Sequence, residues 1–124
     1  MAHFAQINEE NIVVNVVVIP DEEQHRGQEY LAEDMNLGGT WLQCSYNTFN
    51  NTHRLGGTPF RGNFPGVGHK YDSELDAFIE PKPEEFPSFV LNTDLLIWAP
   101  PIPRPEDGIN WVWDEDSISW ITIN

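Results

Sequence analysis

The residue types that carry out chemistry in proteins are present in this sequence, but not in the patterns that catalysis or metal binding requires. The histidines are far apart, and none lies in an HExxH or similar spacing. The serines lack the glycine-flanked turn that exposes a nucleophilic hydroxyl. These residues are His3, His25, His53 and His69 and Ser45, Ser73, Ser88, Ser117 and Ser119. We therefore expect no enzyme, no catalytic residue, no metal site and no cofactor.

Two acidic clusters contain the oxygen donors that calcium prefers. Asp72, Glu74 and Asp76 alternate along the chain, and residues 114–116 are consecutive carboxylates. The central glycine and the distal glutamate of a calcium loop are missing from both clusters. Acidic residues at hairpin turns explain the two clusters, so we interpret them as turn chemistry rather than ion ligands.

Tryptophans near the end of the sequence are the second kind of candidate site. Trp98, Trp111, Trp113 and Trp120 are large rings that must be buried against one another, against a sheet or against a partner. If they lay on exposed turns, they would form an aromatic platform able to stack on sugar rings. Their spacing favours opposed pairs within hairpins.

A carboxylate-free stretch between Asp34 and Asp72 is the third candidate site. It carries three cations in a chain whose net charge is −14, and its middle part, residues 47–70, is rich in Gly and Asn. One interpretation is a loop whose cations pair with the molecule's own acidic surface. The other is an assembly arm that binds a neighbouring subunit, with Phe60 and Phe64 as apolar anchors and with Arg54 and Arg61 paired with carboxylates of that subunit.

Three segments of the second half can be laid over one another. Residues 71–78, 91–98 and 113–120 each start with a large apolar residue, continue with Asp- or Asn-rich turn chemistry and end with an aromatic residue. This pattern predicts three tandem β-hairpins whose outer residues face each other across two strands. The proline-rich stretches 80–87 and 99–105 cannot continue a ladder, so we expect stiff, extended links between hairpins.

The first 46 residues predict a small sheet and one helix. Residues 4–7 and 12–19 predict a hairpin, and the β-branched run of the second strand suits a strand that is buried on both faces or paired centrally in a sheet. Pro20 ends that strand. A helix is expected over residues 21–34, capped by Asp21 and with an apolar stripe of Tyr30, Leu31 and Met35. Residues 41–46 predict another core strand.

The expected fold class is therefore mainly β with one short helix. It comprises a small N-terminal sheet (residues 1–46), a basic arm (47–70) and tandem hairpins joined by Pro-rich links (71–124), all within about one domain's length. The acidic balance of 20 Asp+Glu against 6 Lys+Arg disfavours nucleic acids and anionic membranes as partners. A single cysteine and the absence of a signal-like apolar run predict a protein made in a reducing cytoplasm.

Several strings in the sequence resemble a known group of proteins. These are residues 2–7 (AHFAQI), 45–49 (SYNTF), 55–64 (LGGTPFRGNF), 71–83 and 98–108. They resemble short virion- and fibre-associated proteins of marine tailed bacteriophages, notably those that infect cyanobacteria. The resemblance covers nearly the whole chain and implies a phage origin and a virion location, but it carries no catalytic residues.

The leading expectation is a virion structural protein, an accessory subunit docked on the particle as a capsid decoration or as a tail or baseplate component. Its partners would be other virion proteins and copies of itself. The first alternative is a receptor- or glycan-binding module of a tail fibre, which glycan-array binding would reveal. The second is a fibre assembly chaperone, which would be absent from the finished particle.

Overall fold

The computed structural model describes residues Met1–Ile123 and confirms a mainly β fold, with 35% of residues in strands and 11% in helical turns. Two compact units are present. The first comprises Met1–Pro81 together with Asp94–Leu96, and the second comprises Lys82–Thr93 and the residues from Ile97 onward. The first predicted hairpin therefore belongs with the N-terminal sheet, whereas the sequence grouped it with the other two.

The first unit is built on a three-stranded antiparallel sheet. Its strands are β1 (Ala2–Ile7), β2 (Val13–Ile19) and β3 (Thr40–Cys44), in the order β2-β1-β3. The hairpin and the third strand confirm the sequence prediction. The central position of β2 was wrong, because β3 pairs with β1 and leaves β2 at the edge, with Val14 and Val18 exposed.

Core packing on both faces of β1 explains why this sheet is stable. On one face, Ala2 and Phe4 pack with Ile19, Leu31 and Trp41. On the other face, Ala5 lies in a second buried cluster with the residues Val13, Cys44 and Phe78. Successive side chains of a strand point to opposite faces, so the burial of the neighbouring residues Phe4 and Ala5 requires that β1 be covered on both sides.

The helical segment covers one face of the sheet but is not a regular α-helix. It runs as a 3₁₀ turn over Asp21–Arg26, an α turn over Gly27–Glu29 and a π turn over Tyr30–Asp34. The predicted Asp21 cap was wrong, since the residue at the cap is Pro20 and no side chain bonds there. The predicted stripe holds at Leu31 only, because Met35 is exposed.

A glycine places this helical segment against the sheet. A Cβ at Gly27 would lie 2.1 Å from Cζ of Phe4, so only glycine allows the ring and the helix backbone to approach this closely. The carboxamide of Gln28 then fixes the start of β3, because it accepts from the Trp41 backbone N–H at 2.6 Å and donates to the Gly39 carbonyl at 2.9 Å.

A further hairpin, which the sequence did not predict, lies in the segment interpreted as an arm. Its strands are β4 (Thr48–Phe49) and β5 (Thr52–His53), and its two turn residues, Asn50 and Asn51, have φ values of 50° and 56°. Two consecutive positive φ angles are characteristic of a type I′ turn, for which asparagine is well suited.

All three predicted hairpins are present with the predicted pairing. Tyr71 faces Phe78, Leu91 faces Trp98, and Trp113 faces Trp120. Each hairpin is a separate two-stranded sheet. The strands are β6 (Lys70–Asp72), β7 (Ala77–Ile79), β8 (Val90–Asn92), β9 (Ile97–Ala99), β10 (Trp111–Asp114) and β11 (Ser119–Thr122).

The same backbone conformation recurs at one position of all three turns. Asp76, Leu96 and Ile118 each end a four-residue turn with φ values of 49°, 57° and 50°. Aspartate tolerates this left-handed region, whereas a β-branched residue is strained there. The repeated turn geometry therefore depends on the hairpin register rather than on the side chain at this position.

Replacing Ile118 with Gly should stabilise the third hairpin by about 0.5–1 kcal/mol, because it removes left-handed backbone strain at a residue that is 45% exposed. Leu96→Gly is the matched control, since Leu96 has the same backbone conformation but is buried, and its loss should be destabilising. Thermal unfolding of both variants checks the pair. A destabilised Ile118→Gly protein would contradict the strain argument.

The proline-rich links lie outside the strands, as expected, but they are not simply extended. In the first link, the backbone N–H of Phe86 donates to the Pro83 carbonyl and that of Phe89 donates to the Phe86 carbonyl, which makes two successive turns. In the second link the chain bends at Pro101 and Ile102. The turns of the first link stack the Phe86 and Phe89 rings at a centroid distance of 4.6 Å.

Candidate functional site

Arg61 ties the predicted arm to its own subunit. Its Nε donates to a carboxylate oxygen of Asp76 at 3.0 Å, and its Nη1 donates to the Gln43 carbonyl at 2.6 Å. The hydroxyl of Tyr71 donates to the same oxygen of Asp76. The hydrogen bond from Tyr71 is the largest cause that holds the pKa of Asp76 below its usual range; burial opposes it, and the hydrogen bond from Arg61 lowers the pKa further.

Asn63 lies two residues beyond Arg61 and connects three parts of the first unit. Its side-chain nitrogen donates to the Phe78 carbonyl at 2.8 Å and to the Leu96 carbonyl at 2.9 Å. Its side-chain oxygen accepts from the backbone N–H of Asn50 at 2.6 Å. One amide therefore joins a strand and two hairpin turns, and we call residues 61–63 the clasp.

The remaining arm residues differ in how they are held. Phe64 packs against the second core cluster, and its ring lies edge-on to His3 with centroids 5.5 Å apart. Arg54 lies over the ring of Tyr46, 5.0 Å from the centroid. Phe60 is 37% exposed and, with Arg61, lines part of an open cleft of about 450 Å³.

These placements correct the argument for an assembly arm. That argument assumed that residues 47–70 could gain burial only from a neighbouring subunit. Phe64 and Arg61 instead find their partners within the chain, and Thr48 is fully buried. The alternative interpretation, cations paired with the chain's own acidic surface, describes Arg61. Binding of a partner by Arg54 and Phe60 stays a prediction.

In the second unit, one face of the third hairpin is made of tryptophans. Trp111 and Trp113 are two apart on β10, and Trp120 faces Trp113 across the hairpin, with ring centroids 5.4 Å apart. This is the opposed pair that the spacing predicted. Phe89 extends the cluster, since its ring is 6.2 Å from that of Trp113.

The indole N–H groups of this face all bond within the chain. Trp111 donates to a carboxylate oxygen of Asp107 at 2.9 Å, and Trp113 donates to Oε2 of Glu115 at 2.8 Å. Trp120 donates to the Ile102 carbonyl at 2.8 Å. All three tryptophans, and also Trp98, are half-buried. The face is therefore a packed aromatic layer with satisfied polar edges rather than an open platform.

Glu115 closes the edge of the aromatic layer. Its carboxylate accepts from the backbone N–H of Ser88 at 2.7 Å, from the Ser88 hydroxyl and from the Trp113 indole. Burial opposes ionisation of this carboxyl, but the hydrogen bonds from Ser88 and Trp113 together keep its pKa below the usual range. An ionised Glu115 thus holds Ser88, the residue after the first link, against the third hairpin.

The opposite face of the third hairpin is apolar and exposed. Val112 and Ile121 are cross-strand partners, and their side chains are 37% and 44% exposed. Because side chains alternate along a strand, they point away from the Trp113–Trp120 pair. Ile123 is 64% exposed. Sequence analysis missed this pair, although the alternation of Val112 between two tryptophans could have revealed it.

Several of the side chains considered for metal or catalytic chemistry bond to the backbone of their own turns or are at least partly buried. His53 accepts from the backbone N–H groups of Leu55 and Gly57 at 3.1 Å, and burial lowers the pKa of His69. Asp72 accepts from the backbone of its own turn at 2.9 Å and 3.1 Å. Burial raises the pKa of the Cys44 thiol to about 12. Within residues 1–123, no three His, Cys, Asp or Glu side chains are grouped so as to hold a metal ion.

Comparisons with protein-family models, with curated proteins and with solved structures gave no match to this chain. The resemblance to phage proteins therefore remains a prediction from the sequence strings. None of the helical turns within residues 1–123 is long and apolar enough to cross a membrane.

Proposed function

We propose that this protein is a bacteriophage virion structural protein, an accessory subunit that docks on the particle as a capsid decoration or as a tail or baseplate component. The sequence strings that resemble phage proteins support the origin. The exposed Val112–Ile121 face supports a docking role, and it is the observation on which the proposal rests.

A two-stranded sheet that is apolar on both faces needs other residues packed against each face. The tryptophan side of the third hairpin is covered within the second unit by Phe89 and the links. Val112 and Ile121, with Ile123 beyond them, have no comparable cover. Contiguous apolar residues at a surface mark binding sites more often than chance exposure does. A virion protein surface that covers them would complete the packing of this hairpin.

Charge agrees with docking on a protein rather than on packaged genome. With a net charge of −14, the chain is repelled by nucleic-acid phosphates, so a position on the outside of the particle or on the tail suits it. The glycan-binding alternative needs exposed aromatic rings, and the half-buried, hydrogen-bonded tryptophans do not favour it.

The test is incorporation into particles of the encoding phage. Purified particles should contain the chain at a fixed copy number by quantitative mass spectrometry. Particles lacking it should then take up added protein, and the Val112→Thr/Ile121→Thr variant should bind about tenfold more weakly or worse, because about 1.4 kcal/mol of apolar burial corresponds to that factor. Threonine favours β-strands as valine and isoleucine do, so the variant should keep the hairpin.

Val14→Thr/Val18→Thr is the matched control, since these exposed residues of β2 belong to the other unit. It should bind particles like the unmodified chain. Absence of the chain from finished particles would overturn the structural role and favour the chaperone alternative. Equal loss of binding in both double variants would show that the third hairpin is not the docking face.

A further inference from the structure

Two cations lie over tryptophan rings at equivalent places in the second unit. Nζ of Lys82 is 5.4 Å from the ring centroid of Trp98, and the guanidinium carbon of Arg104 is 6.0 Å from that of Trp120. Lys82 precedes Trp98 by as many residues as Arg104 precedes Trp120. In each case the cation belongs to the proline-rich link that comes before the hairpin carrying the tryptophan.

The links themselves are built alike around these cations. Lys82 stands between Pro81 and Pro83, and Arg104 stands between Pro103 and Pro105. Prolines on both sides of a residue fix the neighbouring φ angles and keep the segment extended, so the cation is presented with little loss of conformational freedom. The recurrence of the whole arrangement indicates a duplicated link–hairpin module rather than two independent contacts.

At Trp120, a hydrogen bond accompanies the cation contact. This combination is typical of proteins that recognise proline-rich chains. The indole N–H of Trp120 donates to the Ile102 carbonyl at 2.8 Å, just before the Pro103–Pro105 segment. Proline-rich segments lack many backbone donors but keep their carbonyl acceptors, so aromatic residues with a ring donor bind them. The ring face then attracts the cation.

We infer that Trp98 and Trp120 form two equivalent receptor sites for a proline-flanked cation, and that in trans they accept the same link from a second copy of this chain. Within one chain each site is filled by its own preceding link. Exchanging a link between copies would break and re-form identical contacts, which is a low-cost route to assembly.

Two features of the chain favour a second copy as the occupant. Cations are scarce, six against twenty carboxylates, and two of the six occupy these sites. Gly108 lies between the second link and β10, has a φ of 78°, and has no atom within 4 Å of the place where a Cβ would be. At the Trp120 site, this glycine in open space between Arg104 and Trp120 permits the second link to swing away. These sites concern the isolated chain and do not rest on the virion role.

The first experiment titrates a fluorescein-labelled peptide of residues 99–106 into the full chain. An Arg104→Gln chain, whose own link is weakened, should bind the peptide about tenfold more tightly than the unmodified chain. Adding Trp120→Phe to that background should reduce binding about tenfold, because the ring donor is lost. Trp111→Phe is the matched control, since its indole bonds to Asp107 instead, and it should leave binding unchanged.

The peptide with Glu in place of Arg104 tests the cation without altering the protein, and it should not bind at any concentration at which the original peptide does. No binding of the original peptide to the Arg104→Gln chain, or equal losses with Trp120→Phe and Trp111→Phe, would overturn the receptor sites. Near-ultraviolet circular dichroism of the variants establishes that they are folded. If the Trp120→Phe variant is not folded, the receptor site is tested by comparing the binding of the original peptide and of the Glu peptide to the Arg104→Gln chain.

The second experiment identifies the occupant. Native mass spectrometry of the full chain at rising concentration should show dimers that incorporate isotope-labelled monomers, and excess peptide should suppress them. Dimers that the peptide does not affect, or monomers alone at every concentration, would overturn link exchange between copies.

Discussion

Gly62→Ala is expected to lower the free energy of unfolding of the first unit by about 2–5 kcal/mol. Gly62 has a φ of 76°, which costs an alanine about 1–2 kcal/mol. A Cβ there would also lie 2.4 Å from Cδ1 of Leu96 and 2.9 Å from the Ala77 Cβ, and such overpacking costs about 1–3 kcal/mol more. Denaturant unfolding followed by far-ultraviolet circular dichroism measures the change.

Gly56→Ala separates the two contributions. Gly56 has a similar φ of 84°, but no atom lies within 4 Å of its Cβ position. It should therefore show only the backbone cost, about 1–2 kcal/mol. Equal destabilisation by the two substitutions would mean that the clasp does not hold the Asp94–Leu96 turn as closely as the structure indicates.

The clasp also shows where sequence reasoning ends. Arg61, Gly62 and Asn63 were recognised as part of a distinctive string, but the role of Asn63 depends on the backbone carbonyls of Phe78 and Leu96, which come later in the chain. No local pattern specifies which distant carbonyl an asparagine will reach. The charge pattern identified Arg61 as important, yet whether its partner would be the chain itself or a neighbour was left open.

Hairpin register, in contrast, was predictable because it is a local property. The residues that open and close each segment, such as Trp113 and Trp120, are separated by a turn of fixed length, and strand alternation then determines which side chains meet. The β4–β5 hairpin followed the same rule but was missed, since its strands are only two residues long and Asn50–Asn51 was interpreted as part of an irregular arm.

Strand order was the least predictable part of the sheet. The β-branched composition of β2 suits a buried strand, but composition does not determine whether β3 pairs with β1 or with β2. In the structure β1 pairs with both β2 and β3 and is therefore the central strand, and its residues Ala2, Phe4 and Ala5 are buried in the two core clusters. Small residues in β1 gave little hydrophobic signal in the sequence.

The aromatic layer of the second unit leads to the other large prediction. Trp113→Ala should destabilise this unit by about 3 kcal/mol, as large-to-small changes of packed aromatics do. The substitution removes ring contacts with both Phe89 and Trp120 and takes away the indole donor of Glu115. A carboxylate that loses a hydrogen bond in a partly buried site adds to the cost.

Trp111→Ala is the control that distinguishes a packed layer from an open platform. Trp111 lies on the same face, and its indole donates to Asp107. Its replacement by Ala should lower the free energy of unfolding by about 1 kcal/mol, the value of one hydrogen bond. Unfolding is best followed by amide hydrogen exchange, which reports on each unit separately. Trp113→Ala should speed exchange in β10 and β11 while β1 stays protected. If both substitutions are nearly neutral, the rings are solvated, and the glycan-binding alternative regains support.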